Sequence, residues 1–361
     1  MKNDRFLPKI YIHCGLHKTG TTSLQRCFAQ HSGLLHSFGL LYPVTGRGSQ
    51  YPGHHNIAWQ IARDRRFELS GGNVEGLLAE IAGFAGSVIL SSEDFETSIG
   101  NPECWSAFVK KLGTLGRPIV VIVYLRNQTA YLESLYQENL KHGCGDEFRS
   151  CAQRVLSYAS LRFNEQVFHF DYERLALSLM RHDGFDVVFR NFHALAGNSL
   201  ISDLISVGAL PASAVRDMAL EAANGRDSPL LALRNFYRNR SRKMLVQSDV
   251  DALRLVGQEM SRTPAASSRF RWLASERFSA GNARLCEQFK ISPKGLVSEE
   301  TVVAAPVCDM ERFFSFETQM RLQEISLLMQ SPATLKPTTQ QDQAINKARS
   351  WWSWVIASGE Q

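Results

Sequence analysis

The feature that most constrains the fold is an uninterrupted hydrophobic run near the middle of the chain, Ile119-Val-Val-Ile-Val-Tyr-Leu125. The run has the length of a β-strand, but it lacks the polar positions that a half-exposed strand shows. A strand of this kind has to be covered on both sides. Parallel sheets in α/β proteins meet this requirement, because their connecting helices lie on both faces. The run therefore predicts a parallel sheet flanked by helices.

Shorter segments extend this pattern along the first half of the chain. The predicted strands are residues 9–13, 87–91, 118–125 and 167–170, and the predicted helices include 21–30, a helix capped by Asn73, and 129–141. Alternating strands and helices indicate an α/β fold. We predict a P-loop-type α/β core over residues 1–200, a mostly helical C-terminal extension packed on the core over 201–330, and a loose tail over 331–361.

Composition narrows the class of protein. Of the 361 residues, 44% are hydrophobic and 21% are charged, as in ordinary soluble globular proteins. The net charge of +5 suits an anionic cofactor or acceptor, and its scattered distribution argues against a nucleic-acid-binding surface. The seven cysteines include no C-x-x-C pair, so neither a disulfide framework nor a zinc site is expected.

The chain shows no secretory segment and no apolar run long enough to span a membrane, so we predict a cytoplasmic protein. The tryptophan-rich residues 351–356 have two interpretations. They either pack on the body of the protein or make peripheral contact with a membrane surface.

A phosphate-binding segment follows the first predicted strand and reads Ile10-Tyr-Ile-His-Cys-Gly-Leu-His-Lys-Thr-Gly-Thr-Thr-Ser-Leu-Gln25. Gly15 and Gly20 allow the backbone to turn its N–H groups inward. The helix that follows adds the positive end of its dipole, and Lys18 adds a full charge. A strand, a short glycine loop and a helix in this order predict a site for a phosphate group.

The position of the lysine distinguishes this loop from the loops that bind ATP or GTP. A nucleotide P-loop carries its lysine directly after the second glycine, where this chain has Thr21. The segment Lys18-Thr-Gly-Thr-Thr22 after a strand resembles that of PAPS-dependent sulfotransferases, in a bacterial-type member. PAPS is 3′-phosphoadenosine-5′-phosphosulfate. The resemblance implies that the 5′-phosphosulfate is held by Gly15, His17, Lys18, Thr19, Gly20, Thr21 and Thr22.

A second motif follows the hydrophobic run. Arg126 stands at the carboxyl end of a predicted parallel strand, where ligands bind in open α/β sheets, and Ser134 lies on the next predicted helix. This pair resembles the 3′-phosphate motif of the sulfotransferases, which implies that Arg126 and Ser134 bind the 3′-phosphate. Many members have proline two residues after the arginine, where this chain has Gln128.

A third, weaker resemblance lies after the strand predicted at 167–170. The segment Tyr172-Glu-Arg-Leu175 is similar to a family segment whose tyrosine lies near the adenine. It makes Tyr172 a candidate cofactor-binding residue. The alternative is that Tyr172 is a buried core residue.

Sulfuryl transfer is an in-line displacement, so positioning and electrostatics should supply most of the catalysis. The resemblance makes Lys18 the candidate for neutralising charge on the bridging oxygen, and no metal is expected. Glu93, after the strand at 87–91, and His55, in a glycine-rich segment, are candidate bases for the acceptor. The alternatives are a helix cap for Glu93 and a plain loop residue for His55. His17 is expected to contact the cofactor or to support the residues that do, and not to act as the base.

The resemblance implies transfer of a sulfuryl group from PAPS to an acceptor hydroxyl or amine, which we expect to belong to a carbohydrate or glycolipid. A P-loop nucleotide-dependent kinase and a non-catalytic nucleotide-binding protein are the alternatives. Tyr51, Trp59, Trp105 and Tyr131 are aromatic residues that could stack on a sugar or belong to the core. The acceptor and the oligomeric state are left open by the sequence.

Overall fold

The structure is a computed structural model, and it describes residues 7–48, 51–195, 200–213, 218, 239 and 268–297. The chain divides into two compact units. One unit comprises residues 1–139, 148–226 and 265–308, and the other comprises 140–147, 227–264 and 309–361. The predicted tail, 331–361, and most of the predicted C-terminal extension lie outside the described residues.

The first unit is built on a five-stranded sheet in which all strands are parallel. The seven strands of the described chain are β1 Ile10–Gly15, β2 Leu40–Leu41, β3 Ser87–Ser91, β4 Ile119–Leu125, β5 Ser160–Phe163, β6 Gln166–His169 and β7 Asp186–Asn191. The order in the sheet is β2-β3-β1-β4-β7. Every residue of β4 is buried, which confirms the prediction made from its hydrophobic run.

One predicted strand pairs differently from the expected way. Residues 167–170 were expected to join the sheet, but β6 pairs with β5 in a separate antiparallel hairpin. The fifth strand of the parallel sheet is β7, which the sequence did not predict. It lies at an edge, and its hydrophobic run is only three residues long, between Asp186 and Arg190, so it lacks the long run that marks β4.

Helices cover both faces of the sheet. They are α1 Thr21–Gln30, α2 Ser32–Ser37, α3 His55–Ala62, α4 Val74–Ala82, α5 Phe95–Ile99, α6 Pro102–Gly113, α7 Gln128–Lys141, α8 Phe148–Tyr158, α9 Tyr172–Met180, α10 Leu200–Ser206 and α11 Ser268–Phe289. As predicted, Asn73 caps α4, because its side chain accepts a hydrogen bond from the Gly76 amide. No helix in the described ranges combines the length and hydropathy needed to cross a membrane.

Strand alternation places the core on both sides of the sheet. Ile10 and Ile12 of β1 belong to one buried cluster, whereas Tyr11 belongs to the cluster on the opposite face. In β4, Val121 and Ile122 are divided between the two clusters in the same way. This double burial explains why the central strands carry hydrophobic residues at successive positions.

The strand order also indicates where a ligand binds. After β1 the chain crosses over β3 to reach β2, whereas after β4 it passes to β7 on the other side. Neighbouring parallel strands whose connections leave in opposite directions open a crevice at their carboxyl ends. Gly15 and Arg126, two of the predicted site residues, stand at the carboxyl ends of β1 and β4.

Candidate functional site

The segment between β1 and α1, residues 15–20, forms a tight turn that we call the glycine loop. Lys18 and Gly20 both have left-handed backbone conformations, with φ of 67° and 79°. The Thr19 hydroxyl donates a hydrogen bond to the Leu16 carbonyl at 2.7 Å, which closes the turn from within. A lysine in this conformation stores strain, and such strain is concentrated at functional sites.

The two glycines of the loop are required by its shape. A Cβ atom on Gly15 would lie 2.6 Å from the Thr19 Oγ1 atom and 2.6 Å from the Thr21 Cγ2 atom. A Cβ atom on Gly20 would lie 2.9 Å from a methyl group of Leu200, in addition to the strain of its positive φ. A larger residue at either position would have to displace the loop.

The N-terminus of α1 has the properties of an anion-binding site. Gly20 occupies the N-cap position and provides no side-chain hydrogen bond, and the first turn contains no acidic residue. The N–H groups of this turn therefore have no side-chain cap, and the helix dipole favours a negative charge beside them. Thr22 is half-buried in this turn, whereas Thr21 is buried.

Lys18 and Arg126 connect the loop to the neighbouring strand and helix. The Lys18 ammonium lies 3.0 Å from the Glu138 carboxylate on α7, and both side chains are partly exposed. The Arg126 guanidinium donates a hydrogen bond to the Lys18 carbonyl. The two predicted phosphate-binding cations are thus brought together at the carboxyl ends of β1 and β4, although they are 108 residues apart in the sequence.

Ser134 and Tyr172 lie around the same crevice. Ser134 is half-buried on α7, and Glu138 follows it by one helical turn on the same face, so Ser134 lies on the side of α7 that reaches the loop. The Tyr172 hydroxyl donates to the Arg126 carbonyl at 2.6 Å, and only 1% of the residue is exposed. Tyr172 therefore packs in the core beneath Arg126, and its contact with an adenine stays a prediction.

A second cluster lies at the carboxyl end of β3, which is the other neighbour of β1. We call residues 93–96 the acidic segment, because it contains Glu93, Asp94 and Glu96. The segment is anchored close to the glycine loop, since the Ser92 amide donates to the His13 carbonyl in β1 at 3.1 Å. Asp94 and Glu96 are buried.

The structure brings the two candidate bases together. The His55 Nε2 atom lies 3.9 Å from a carboxylate oxygen of Glu93, and that oxygen also accepts a hydrogen bond from Gln25 of α1 at 2.8 Å. The contact depends on His54, which forms two hydrogen bonds with Ser91. The His54 backbone N–H donates to the Ser91 carbonyl, and the Ser91 backbone N–H donates to the His54 Nδ1 atom. These bonds fasten the start of α3 to the end of β3, so His55 begins a helix and does not lie in a loop.

Asp94 holds the other side of His55. One carboxylate oxygen accepts hydrogen bonds from the His55 Nδ1 atom at 3.0 Å and from the Trp59 indole at 2.8 Å. The other oxygen accepts from the Gln166 amide at 2.5 Å. Burial opposes ionisation, but the hydrogen bond from His55 and the charges of His55, His17 and Arg66 keep the pKa of Asp94 well below its usual range.

The charge state of His55 follows from its two acidic neighbours. Burial lowers the pKa of an imidazole, but the charges of Glu93 and Asp94 and the hydrogen bond to Asp94 outweigh it and raise the pKa of His55. His17 shows the opposite balance, because burial dominates and lowers its pKa. The surroundings therefore shift the pKa values of the two histidines in opposite directions.

Glu96 binds the backbone of the glycine loop. Its buried carboxyl group accepts hydrogen bonds from the Tyr131 hydroxyl at 2.7 Å, the His169 amide at 2.6 Å and the backbone N–H of His17 in the loop. Burial raises the pKa of Glu96 to about 8. The His17 ring packs edge-on against Phe168, and its Nε2 atom lies 3.7 Å from Asp94.

Comparisons with known proteins add little to this geometry. No family model matches the chain, and no curated protein does. A solved structure from the PezAT chromosomal toxin–antitoxin system of Streptococcus pneumoniae aligns with 70% of this chain and 86% of its own, at 11% identity and a TM-score of 0.30. A likeness this weak indicates neither a family nor a function, so the function has to be argued from the site.

Several residues of the site were not predicted from the sequence. They are Gln25, Asp94, Glu96 and Glu138. Glu138 gave a usable signal, because it stands one helical turn after Ser134 and so shares its face. Asp94 and Glu96 stand beside the predicted Glu93, but no sequence pattern distinguishes which of three neighbouring acids points to which partner.

Proposed function

We propose that this protein transfers a sulfuryl group from PAPS to an acceptor hydroxyl or amine. The observation that carries the proposal is the arrangement of the glycine loop, in which Lys18 lies inside the loop and Arg126 reaches it from the end of β4. Two cations and an uncapped helix N-terminus at one crevice fit a ligand with phosphate groups at two positions.

The residues present fit the two ends of such a cofactor. The N–H groups at the start of α1, the Lys18 ammonium and the half-buried Thr22 hydroxyl would hold the 5′-phosphosulfate. Thr19 and Thr21 would contribute backbone N–H groups, because the Thr19 hydroxyl is used inside the loop and the Thr21 side chain is buried. Arg126 and Ser134 would hold the 3′-phosphate.

When bound, PAPS supplies the activated sulfuryl group and a phosphate leaving group. Lys18 would place positive charge beside the bridging oxygen, where negative charge develops as the bond from sulfur to that oxygen breaks. His55 and Glu93 lie at the end of β3 beside the loop, and one of them would take the proton of the acceptor. Each of these residues would act by charge or position, as in phosphoryl transfer.

The surroundings of His55 favour a carbohydrate as the acceptor. The Trp59 ring stacks on His55 with the ring centroids 6.0 Å apart, and Tyr51 packs edge-on against both rings. Tyr51 is 56% exposed, so its ring is available to an acceptor, whereas Trp105 and Tyr131 are fully buried core residues. An exposed aromatic surface next to a base suits a sugar ring that presents a hydroxyl.

A cytoplasmic location is part of the proposal.

Replacing the loop lysine tests the proposal. We expect Lys18→Ala to reduce transfer of labelled sulfate from PAPS by about 10³-fold or more, because a charge that stabilises the transition state is removed. Lys111→Ala is the matched control, since the Lys111 ammonium also pairs with a carboxylate, that of Glu75, on an exposed surface. Full transfer by Lys18→Ala would reject the role of the lysine.

Replacing Arg126 separates the sulfotransferase from the alternatives. Arg126→Ala should weaken binding of 3′-phosphoadenosine 5′-phosphate by about 10-fold or more, measured by calorimetry, because the charged partner of the 3′-phosphate is lost. Affinity for ADP, which has no 3′-phosphate, should change much less. Turnover of ATP with magnesium and no affinity for the bisphosphate would instead identify a kinase.

A further inference from the structure

We propose that Asp94 is a positioning residue for the transfer reaction, which holds the His55 ring by its Nδ1 atom and so directs Nε2 toward the acceptor as the base. The inference rests on the proposed function for its chemistry. Its structural half, the control of His55 by Asp94, is tested without any donor or acceptor.

The first argument is the way in which Asp94 itself is fixed. Its carboxylate receives hydrogen bonds from three side chains on two different elements, His55 and Trp59 on α3 and Gln166 on β6. The side chain is only 7% exposed, and its own backbone N–H donates to the Ser92 hydroxyl at 3.1 Å. A carboxylate bound at both oxygens and at its backbone cannot turn away from His55.

The second argument concerns which nitrogen of His55 carries its proton. An ionised carboxylate only accepts hydrogen bonds, so the bond of 3.0 Å to Asp94 places a hydrogen on Nδ1. The remaining nitrogen, Nε2, is then the atom that exchanges a proton. It lies 3.9 Å from Glu93, which is longer than a hydrogen bond, so Nε2 is not committed to that carboxylate.

The reaction step needs no protein groups other than these. The acceptor O–H bond breaks and its proton moves to Nε2 of neutral His55, while the acceptor oxygen bonds to sulfur and the bond from sulfur to the phosphate oxygen breaks. Asp94 stays ionised and stabilises the imidazolium that forms, as the carboxylate of a catalytic triad does. Glu93 adds a second negative charge beside the ring.

Two further titratable groups, Arg66 and His17, face the same cluster. Arg66 lies 3.7 Å from Asp94, and its own carboxylate partner is Asp64 at 2.6 Å. The His17 ring of the glycine loop also lies 3.7 Å from Asp94. Asp94 is therefore the group that contacts both the candidate base and a residue of the phosphate-binding loop, which links the acceptor side of the site to the donor side.

The test follows the protonation of His55 directly. In the protein without nucleotide, NMR of labelled histidine should show a His55 pKa that falls by about one unit or more in Asp94→Asn, because an opposite charge at hydrogen-bond distance is removed. Asp203→Asn is the control, since Asp203 is also a buried aspartate with an arginine partner, Arg190, but lies on α10. An unchanged His55 titration in Asp94→Asn would overturn the inference.

A second readout connects the titration to the reaction. With PAPS and a saccharide acceptor, Asp94→Asn should lower kcat by about 10²- to 10⁴-fold and shift the acid limb of its pH profile together with the His55 titration. Asp94→Glu retains the charge, so it should restore part of kcat and part of the native pH profile. It serves as the test if Asp94→Asn does not fold. A His55 shift without any transfer activity in the native protein would reject the proposed function but not the link between Asp94 and His55.

Discussion

The glycine loop and the acidic segment stand at the carboxyl ends of adjacent strands, β1 and β3, but they are built in different ways. The turn of the loop is closed by near neighbours in the sequence, since Thr19 bonds Leu16 and the space beside Gly15 is filled by Thr19 and Thr21, although Arg126 also reaches the loop from β4. The acidic segment is held by distant partners, including Tyr131 and His169, which lie 35 and 73 residues from Glu96.

This difference separates two kinds of requirement. The loop needs particular backbone angles and small residues, which are steric conditions that a short sequence meets by itself. The acidic segment needs donors that arrive from α1, α3, α7 and β6, because three buried or half-buried carboxyl groups without donors would be costly. Steric replacements should therefore damage the loop, and removal of an ionisable group should alter the stability of the acidic segment in a pH-dependent way.

The largest expected effect comes from removing the ionisable carboxyl group of Glu96, which burial keeps protonated below about pH 8. Its pKa is raised by burial to about 8, so the folded protein binds a proton that the unfolded chain releases near its usual value of 4.5. Stability due to this group is therefore lost as the pH rises from about 4.5 to 8. We expect the free energy of unfolding of Glu96→Gln, relative to that of the native protein, to rise by about 1.4 kcal/mol per pH unit in this window, measured by chemical unfolding.

Two comparisons sharpen the Glu96 experiment. Taking the difference in the free energy of unfolding between variant and native protein cancels the contributions of the buried histidines, because these are common to both proteins. Glu75→Gln is the control, because Glu75 is exposed and its hydrogen bond from Lys111 lowers its pKa, so stability due to Glu75 changes only below about pH 4.5 and its difference should stay flat between pH 5 and 8. A difference for Glu96→Gln that stays flat between pH 5 and 8 would show that Glu96 is not held as a buried acid.

The next effect is steric and should not depend on pH. Gly15→Ala places a methyl group 2.6 Å from side-chain atoms of Thr19 and Thr21, which are both buried, and we expect it to lower the free energy of unfolding by about 1–3 kcal/mol. Gly33→Ala in α2 is the matched control, because no atom lies within 4 Å of its Cβ position. It should be neutral or stabilising by up to about 1 kcal/mol, and an equal loss in both variants would contradict the steric account.

The smallest effect concerns the link between the two regions. Gln25 is buried on α1, directly after the loop, and its amide donates to Glu93 in the acidic segment. Gln25→Leu keeps the volume but removes this bond, which should cost about 1–2 kcal/mol. Gln30→Leu, at the exposed end of the same helix, is the control and should stay within about 0.5 kcal/mol in thermal or chemical unfolding.

The sequence predicted the parts of the fold that depend on local pattern. The runs that form β3 and β4, the helix α1 and the Asn73 cap all appear where they were expected, because each is specified by residues within one short segment. The edge strand β7 was missed, and residues 167–170 were given to the wrong sheet. Strand pairing is decided between distant segments, so a hydrophobic run alone does not indicate its partner.

The candidate site follows the same division. Lys18 and Arg126 were predicted as two separate motifs, and the structure shows them in contact. Glu93 and His55 were alternative bases, and the structure places them side by side. Asp94 escaped prediction because its importance lies entirely in its partners.

By itself, the sequence determined that this chain forms a parallel α/β sheet with a glycine-containing loop after its first strand, since apolar runs and glycine positions are properties of short segments. Only the tertiary structure decided how the acids after β3 are divided among His55, Gln25 and the underside of the loop. The physical reason is that a buried carboxyl group is defined by the donors and charges around it, and these come together only when the sheet has formed.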